Sequence, residues 1–167
     1  MCIVEELETD LNIEKICEEY YNIEKTIGYD AHNKIYLQKS SNNYALIDGF
    51  KTDSLDAEKS FKELLIPENY EISKIIKKYS LFRSRFMKLN SEQCYFLHSD
   101  RTKRVHIPIR TNKNCLFLIN DKVYRLTFGN KLYLIDTRYS HTFINANDIT
   151  LSGKNFERIH FVAGYDN

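Results

Sequence analysis

The chain has 167 residues, with 24 Lys and Arg against 23 Asp and Glu, a formal net charge of +1. So neutral a total supplies no whole-molecule field to draw DNA or an anionic membrane, and 43% hydrophobic with 28% charged residues is the composition of a folded chain. The length suits one domain with one core, and 12 Tyr and 10 Phe beside 5 Gly and 2 Pro favour β-structure over most of it.

The N-terminus carries Glu5 and Glu6 where a signal peptide would carry base, and no apolar run has the length of a membrane span; a cytoplasmic location is the expectation. Ile13, Ile16, Cys17 and Tyr20 follow the i, i+3, i+4, i+7 spacing of one helix face, with Asp10 as the expected N-cap. A short β pair is expected at 34–39 and 44–47, joined by Ser40-Ser41-Asn42-Asn43. Phe61, Leu64 and Leu65 suggest a short helix stopped by Pro67, and Ile72, Ile75, Ile76 and Tyr79 predict a second amphipathic helix.

From Leu81 the hydrophobic period changes to two. Strands are predicted at 82–89, 93–98, 103–109, 115–119, 122–128, 131–136, 141–145 and 158–162, with Gly129-Asn130 as a hairpin-type turn. About eight short strands with tight connections point to a mainly β fold, a double-stranded β-helix (jelly roll, cupin-like), with the N-terminal helices packed on one sheet. The expected organisation is one domain over 1–167, divided into a helical support region with a short β pair (1–80) and a jelly-roll core (81–167). The basic run Arg101, Lys103, Arg104, Arg110 falls within this strand pattern and reads as a solvated strand face and loop rather than a nucleic-acid groove. Cys2, Cys17, Cys94 and Cys115 contain no C-x-x-C pair and are expected as reduced, mostly buried thiols.

Of the five histidines, His98 is followed two residues later by Asp100, and His141 opens a late strand 43 residues after His98. Residues i and i+2 on a strand share a face, so in a rolled sheet His98, Asp100 and His141 can present two imidazoles and a carboxylate to one metal. That set suits non-haem Fe(II), with three positions left open. The competing reading makes His98-Ser99-Asp100 a surface turn and His141 a polar residue at a strand start.

The runs Arg85-Phe86-Met87-Lys88-Leu89, His98-Ser99-Asp100, Arg104-Val105-His106-Ile107-Pro108-Ile109-Arg110-Thr111-Asn112, Ile135-Asp136, His141-Thr142-Phe143-Ile144-Asn145 and Arg158-Ile159-His160-Phe161-Val162 together resemble the aspartyl/asparaginyl β-hydroxylase family. That family of Fe(II)- and 2-oxoglutarate-dependent oxygenases includes bacterial hydroxylases of free amino acids such as proline. The resemblance covers about residues 80–164 and, more faintly, the two preceding helices. It implies His98, Asp100 and His141 as iron ligands, Asp100 standing where some members have glycine. It further implies Arg158, 17 residues after His141, as the partner of the distal carboxylate of 2-oxoglutarate, a role for which a guanidinium fork suits better than an ammonium. His106 matches a histidine that contacts the cosubstrate's other end. Two departures stand out: Asn90-Ser91-Glu92 replaces a Pro-Gly turn, and 147–156 looks like an insertion, expected as a loop at the mouth of the site.

Arg85 is the candidate for a substrate carboxylate. His160 shares strand parity with Arg158 but is expected to pack, Thr111, Asn112 and Asn145 to fix turns, and His32 to lie in a polar loop without a role. Arg158 could instead face outward, and His106 could be a satisfied core histidine. The implied activity is Fe(II)/2-oxoglutarate-dependent hydroxylation, using dioxygen, of an amino acid, a free one slightly ahead of a side chain in a protein. The alternatives are a non-catalytic jelly-roll or cupin module binding a small molecule, metal or protein partner, and a cupin-like metalloenzyme of other chemistry such as isomerisation. Neither nucleic acid nor membrane is expected as a partner.

Overall fold

The computed structural model describes residues 2–40 and 54–166. In chain order it contains β1 (Val4–Glu8), α1 (Ile13–Thr26), β2 (Lys34–Tyr36), β3 (Gln38–Ser40), α2 (Leu55–Lys59), β4 (Phe61–Leu64), α3 (Glu71–Lys78), β5 (Phe82–Leu89), β6 (Gln93–Cys94), β7 (Lys103–Arg110), β8 (Cys115–Ile119), β9 (Lys122–Tyr124), β10 (Leu132–Ile135), β11 (His141–Asn145), α4 (Ile149–Ser152) and β12 (Arg158–Tyr165). The strands form a large antiparallel sheet ordered β1-β10-β7-β12-β5-β2, a smaller one ordered β6-β11-β8-β9, and a β3-β4 pair. From β5 onward the chain passes back and forth between the two larger sheets, which is the winding of a double-stranded β-helix.

Strand parity then assigns every side chain to a layer. On β12, Ile159, Phe161 and Ala163 join Phe86, Val105, Ile107 and Ile109 in a core shared with Ile13, Ile16, Tyr20, Ile72, Ile75 and Ile76 of the helices. Helices α1 and α3 thus cover the outer face of the large sheet. The alternate residues of these strands, Arg85, Met87, Arg104, His106, Arg158 and Val162, face the cavity between the sheets. Leu89, Phe117, Ile119, Tyr133, Ile135 and Phe143 make the second apolar cluster inside the roll. One strand thus builds a hydrocarbon face and a chemical face by alternation alone.

The helices start where backbone donors find acceptors. Asn12, not Asp10, caps α1 through its side chain to the Lys15 amide, because the helix begins at Ile13 and the cap must sit directly before it. Tyr70 offers α3 no side-chain cap; instead Glu19 of α1, itself buried, accepts from the amides of Glu71 and Ile72. A carboxylate at a helix N-terminus satisfies orphan donors and opposes the dipole, so this contact ties the two helices together.

Several expectations are corrected. Residues 61–64 form strand β4 rather than a helix, because Gln38, Lys39 and Ser40 of β3 supply the ladder and pairing outweighs a weak local preference. Residues 34–36 and 38–40 are strands but pair with β5 and β4; the expected partner at 44–47 lies outside the described residues. The strand expected over 93–98 is regular only at Gln93–Cys94, resuming as a single bridge between His98 and His141. Gly129-Asn130 does not close a hairpin, since β9 pairs with β8 and β10 with β7 and β1; the tight turn is Asn120-Asp121, both left-handed (φ 49° and 60°), which matches the twist of the strands it joins. Strand β1 had no signal: Val4–Glu8 carries three glutamates, as an edge strand exposed on one side tolerates. Of the thiols, only Cys115 is buried, and Cys2 and Cys94 are exposed. No described helix is long and apolar enough to cross a membrane.

Candidate metal centre

His98 and His141 are brought together by the bridge between the end of the β6 segment and the start of β11, with His98 N donating to His141 O at 3.1 Å and His141 N to His98 O at 2.8 Å. Their ring centroids lie 4.4 Å apart. Asp100, two residues on, is held at the same place by its own amide, which donates to Thr137 O at 2.8 Å. One donor atom from each of His98, Asp100 and His141 lies within 4.8 Å of the others, a cluster able to hold a metal ion.

Both imidazoles are oriented in the same way. His98 Nδ1 sits 2.7 Å from Phe96 O and His141 Nδ1 2.9 Å from Tyr139 O. A carbonyl only accepts, so each Nδ1 carries the proton and each Nε2 keeps its lone pair. Ligating histidines are characteristically fixed by such a bond. Burial lowers the pKa of His141, against the pull of the Tyr139 carbonyl and Asp100, which favours the neutral ring a metal needs.

Asp100 is gripped by Arg104, whose Nε and Nη2 donate to Oδ2 and Oδ1, each at 3.0 Å. Burial alone would raise the Asp100 pKa, but the Arg104 charge and its fork, with smaller help from His141 and Arg85, hold it well below the ordinary 3.8. A depressed folded-state pKa contributes stability that is complete above the unfolded value and lost as pH falls through the folded one. In metal-free protein, Asp100→Asn should therefore lower the urea midpoint at neutral pH, and the gap to wild type should close as pH drops from about 5 toward 2. A gap independent of pH over that range would show that Asp100 ionisation does not stabilise the fold.

Beside the cluster lies a narrow cavity of about 50 Å³, lined among others by Arg85, Tyr95, His106, Phe143 and Arg158. It shares Arg85, Tyr95, His98, Asp100 and Arg104 with a wider outer cleft of about 580 Å³. Arg158 is 1% exposed, its guanidinium lies 3.8 Å above the Phe143 ring, and its Nη2 has no hydrogen-bond partner. Among the described residues no carboxylate pairs with it, and burial lowers its pKa to about 10. A desolvated cation without an anion is costly, and here it faces a cavity. His106 lines the same space with Nδ1 unpartnered, its pKa pushed far down by burial and then by Arg158. Arg158 is thus buried toward the cavity rather than facing outward, and His106 has one ring nitrogen without a partner.

Arg85, 8% exposed, lines both spaces and donates from Nη1 to Arg83 O at 2.9 Å; burial, then Arg83 and Arg104, lower its pKa to about 10. His160 is buried with both ring nitrogens unpartnered, 6.0 Å from His106 by ring centroid, but is not among the lining residues. Asn145 fixes local structure, donating to Leu89 O and Phe156 O. His32 lies on the outer cleft. The basic run is not solvated at Arg104, which is 2% exposed. Residues 147–156 do not reach the mouth: they carry α4 and are tied to the Asn145 end of β11, opposite His141, by Glu92 accepting from Ile149 N and Asn155 accepting from Ser91 N. Glu58, Arg83 and Tyr95 were not foreseen; none falls in a recognisable motif.

No protein-family model matches the chain, and no curated protein does. Among solved structures its likenesses are distant. It is similar to a 2OG-Fe(II) oxygenase family oxidoreductase from Burkholderia pseudomallei (14% identity, 62% of this chain and 59% of that one, TM-score 0.47). It is also similar to AviO1 from Streptomyces viridochromogenes (12% identity, 96% and 89%, TM-score 0.47) and to a cupin-2 domain protein from Shewanella frigidimarina (15% identity, 50% and 71%, TM-score 0.35). At such values the likeness speaks neither to activity nor to substrate, and the side chains alone carry the chemistry.

Proposed function

We propose that the chain is an Fe(II)- and 2-oxoglutarate-dependent dioxygenase of the aspartyl/asparaginyl β-hydroxylase type, a single oxygenase domain that hydroxylates an amino acid, with a free amino acid favoured over a protein side chain. The observation that carries this reading is a His-Asp-His cluster sharing one cavity with a buried guanidinium that has no carboxylate partner among the described residues. A metal site alone fits many activities. A metal site with an uncompensated cation beside it calls for an anionic ligand that bridges the two.

In this reading His98, Asp100 and His141 hold the metal through two Nε2 lone pairs and a carboxylate, a donor set suited to Fe(II) with positions left open. When bound, Fe(II) and 2-oxoglutarate supply the dioxygen chemistry that replaces a substrate C–H with C–OH, giving succinate and CO2. Arg158 would neutralise the distal carboxylate of the keto acid from a buried position, where a charge-assisted hydrogen bond is strong. The Phe143 ring lies against the guanidinium and gives it a cation–π contact. His106, neutral through burial, offers hydrogen bonding without adding positive charge. Arg85, at the boundary between the inner cavity and the outer cleft, is placed to orient a substrate carboxylate, and Met87, Phe143 and Val162 keep water out.

Anaerobic titration tests the reading. Fe(II) followed by 2-oxoglutarate should produce a visible charge-transfer band, and aerobic incubation with free amino acids or peptides should yield a product heavier by one oxygen. Well-folded protein that binds neither metal nor keto acid would favour a non-catalytic binding module. Metal binding without succinate formation would favour a cupin-type enzyme of other chemistry.

A further inference from the structure

Helix α2 has only five residues, yet it sends a carboxylate into the buried base of the site. Glu58 is 3% exposed, and its Oε1 accepts from Arg104 Nη2 at 2.6 Å and from Arg83 Nη1 at 2.8 Å. Arg104 is in turn engaged on all three nitrogens: Nη1 donates to Thr102 Oγ1 at 2.8 Å, while Nε and Nη2 hold the two oxygens of Asp100. The result is a continuous chain, Arg83–Glu58–Arg104–Asp100, running from β5 through α2 and β7 to the half-buried Asp100 of the metal cluster.

Local backbone geometry supports the arrangement. Arg83 has φ of 52°, a left-handed conformation that side chains disfavour, beside the irregularity where β5 pairs with Gly164 of β12. There Gly164 has no room for a side chain, since a Cβ would lie 2.2 Å from the Phe82 ring. Here Arg83, Ser84 and Arg85 are all buried in succession, as both faces of the large sheet are covered. Arg83 reaches Glu58 while Arg85 faces the cavity.

We propose that Glu58 is a positioning residue for the metal centre: by holding Arg104 it fixes the plane of the Asp100 carboxylate that faces His98 and His141. A guanidinium shared between two carboxylates cannot swing toward either without losing the other, so the fork on Asp100 is kept in one orientation. Without Glu58, Arg104 keeps Asp100 as its one carboxylate partner and is free to pull it away from the cluster. The proposal rests on the cluster being a metal site, and on no particular metal or cosubstrate.

The test uses Co(II) as a spectroscopic probe on the full chain, with Glu58→Gln, Asp100→Ala and the double variant. Expected is a Co(II) dissociation constant raised about ten- to a hundredfold in Glu58→Gln, with an altered d–d spectrum and a circular dichroism spectrum like that of wild type. In the Asp100→Ala background the same change should have no further effect, because Glu58 acts only through Asp100. Unchanged affinity in Glu58→Gln, or an equal loss with and without Asp100, overturns the proposal. Should Glu58→Gln not fold, Glu58→Asp, which keeps the charge but retracts it by one methylene, is measured instead, and wild-type affinity there overturns it equally. Wild-type protein that binds no divalent ion would sink the metal-site reading itself, a result distinguishable from failure of the Glu58 role.

Discussion

Alanine at His98 or at His141 is expected to weaken divalent-metal binding by more than about a hundredfold, since losing even an outer partner of a ligand typically costs ten- to a hundredfold. The two variants should differ in stability. His98 is exposed, so its removal should leave the urea midpoint unchanged. His141 is 4% exposed and donates to Tyr139 O, so its loss should cost on the order of 1–2 kcal/mol from one hydrogen bond and a small void. Calorimetric titration with Fe(II) under argon, beside urea unfolding, reads both quantities. Full metal affinity in either variant would mean that the imidazoles meet for packing reasons alone.

The second large effect has opposite signs in two measurements. Arg158→Met replaces a buried, unpaired guanidinium by an apolar chain of similar length. Removing an uncompensated charge should stabilise the ligand-free protein by on the order of 1–3 kcal/mol, after allowing for the lost contact with the Phe143 ring. The same variant should lose its response to 2-oxoglutarate: wild type with metal should gain about 2.7 kcal/mol at a hundredfold excess over the dissociation constant, and Arg158→Met almost none. Thermal shift with and without the keto acid measures both. A residue conserving only the fold gives no reason for a rise in one and a loss in the other; a variant that is destabilised yet still stabilised by 2-oxoglutarate would point to a different anchor.

These variants isolate a general feature of the site: its charges are arranged in two kinds. Arg104, Arg83, Glu58 and Asp100 neutralise one another internally, which makes a stiff polar support. Arg158 and Arg85 are buried with no carboxylate partner among the described residues, which leaves unbalanced positive charge facing the cavity. The support is settled by folding, whereas in the proposed function the unbalanced cations would be met by an anionic ligand.

What could be read along the chain was whatever depends on neighbours in sequence. The period-two pattern from Leu81 located the jelly-roll strands, and the helical spacing located α1 and α3, because burial on one face imposes a fixed repeat. The i, i+2 relation of His98 and Asp100 rests on the same local geometry. Where neighbours in sequence do not decide, the reading failed: Phe61–Leu64 became a strand because β3 lay ready to pair, and Val4–Glu8 became one because β10 had an open edge. The meeting of His98 with His141 and the pairing of buried Glu58 with Arg104 are set by the packing of segments 40 or more residues apart in the chain. Register is chosen by the packing of the whole roll, since a slip by one residue would turn every inward side chain outward. Residue chemistry is therefore legible in the sequence, but which charges end up paired and which are left facing a cavity is decided only when the two sheets close.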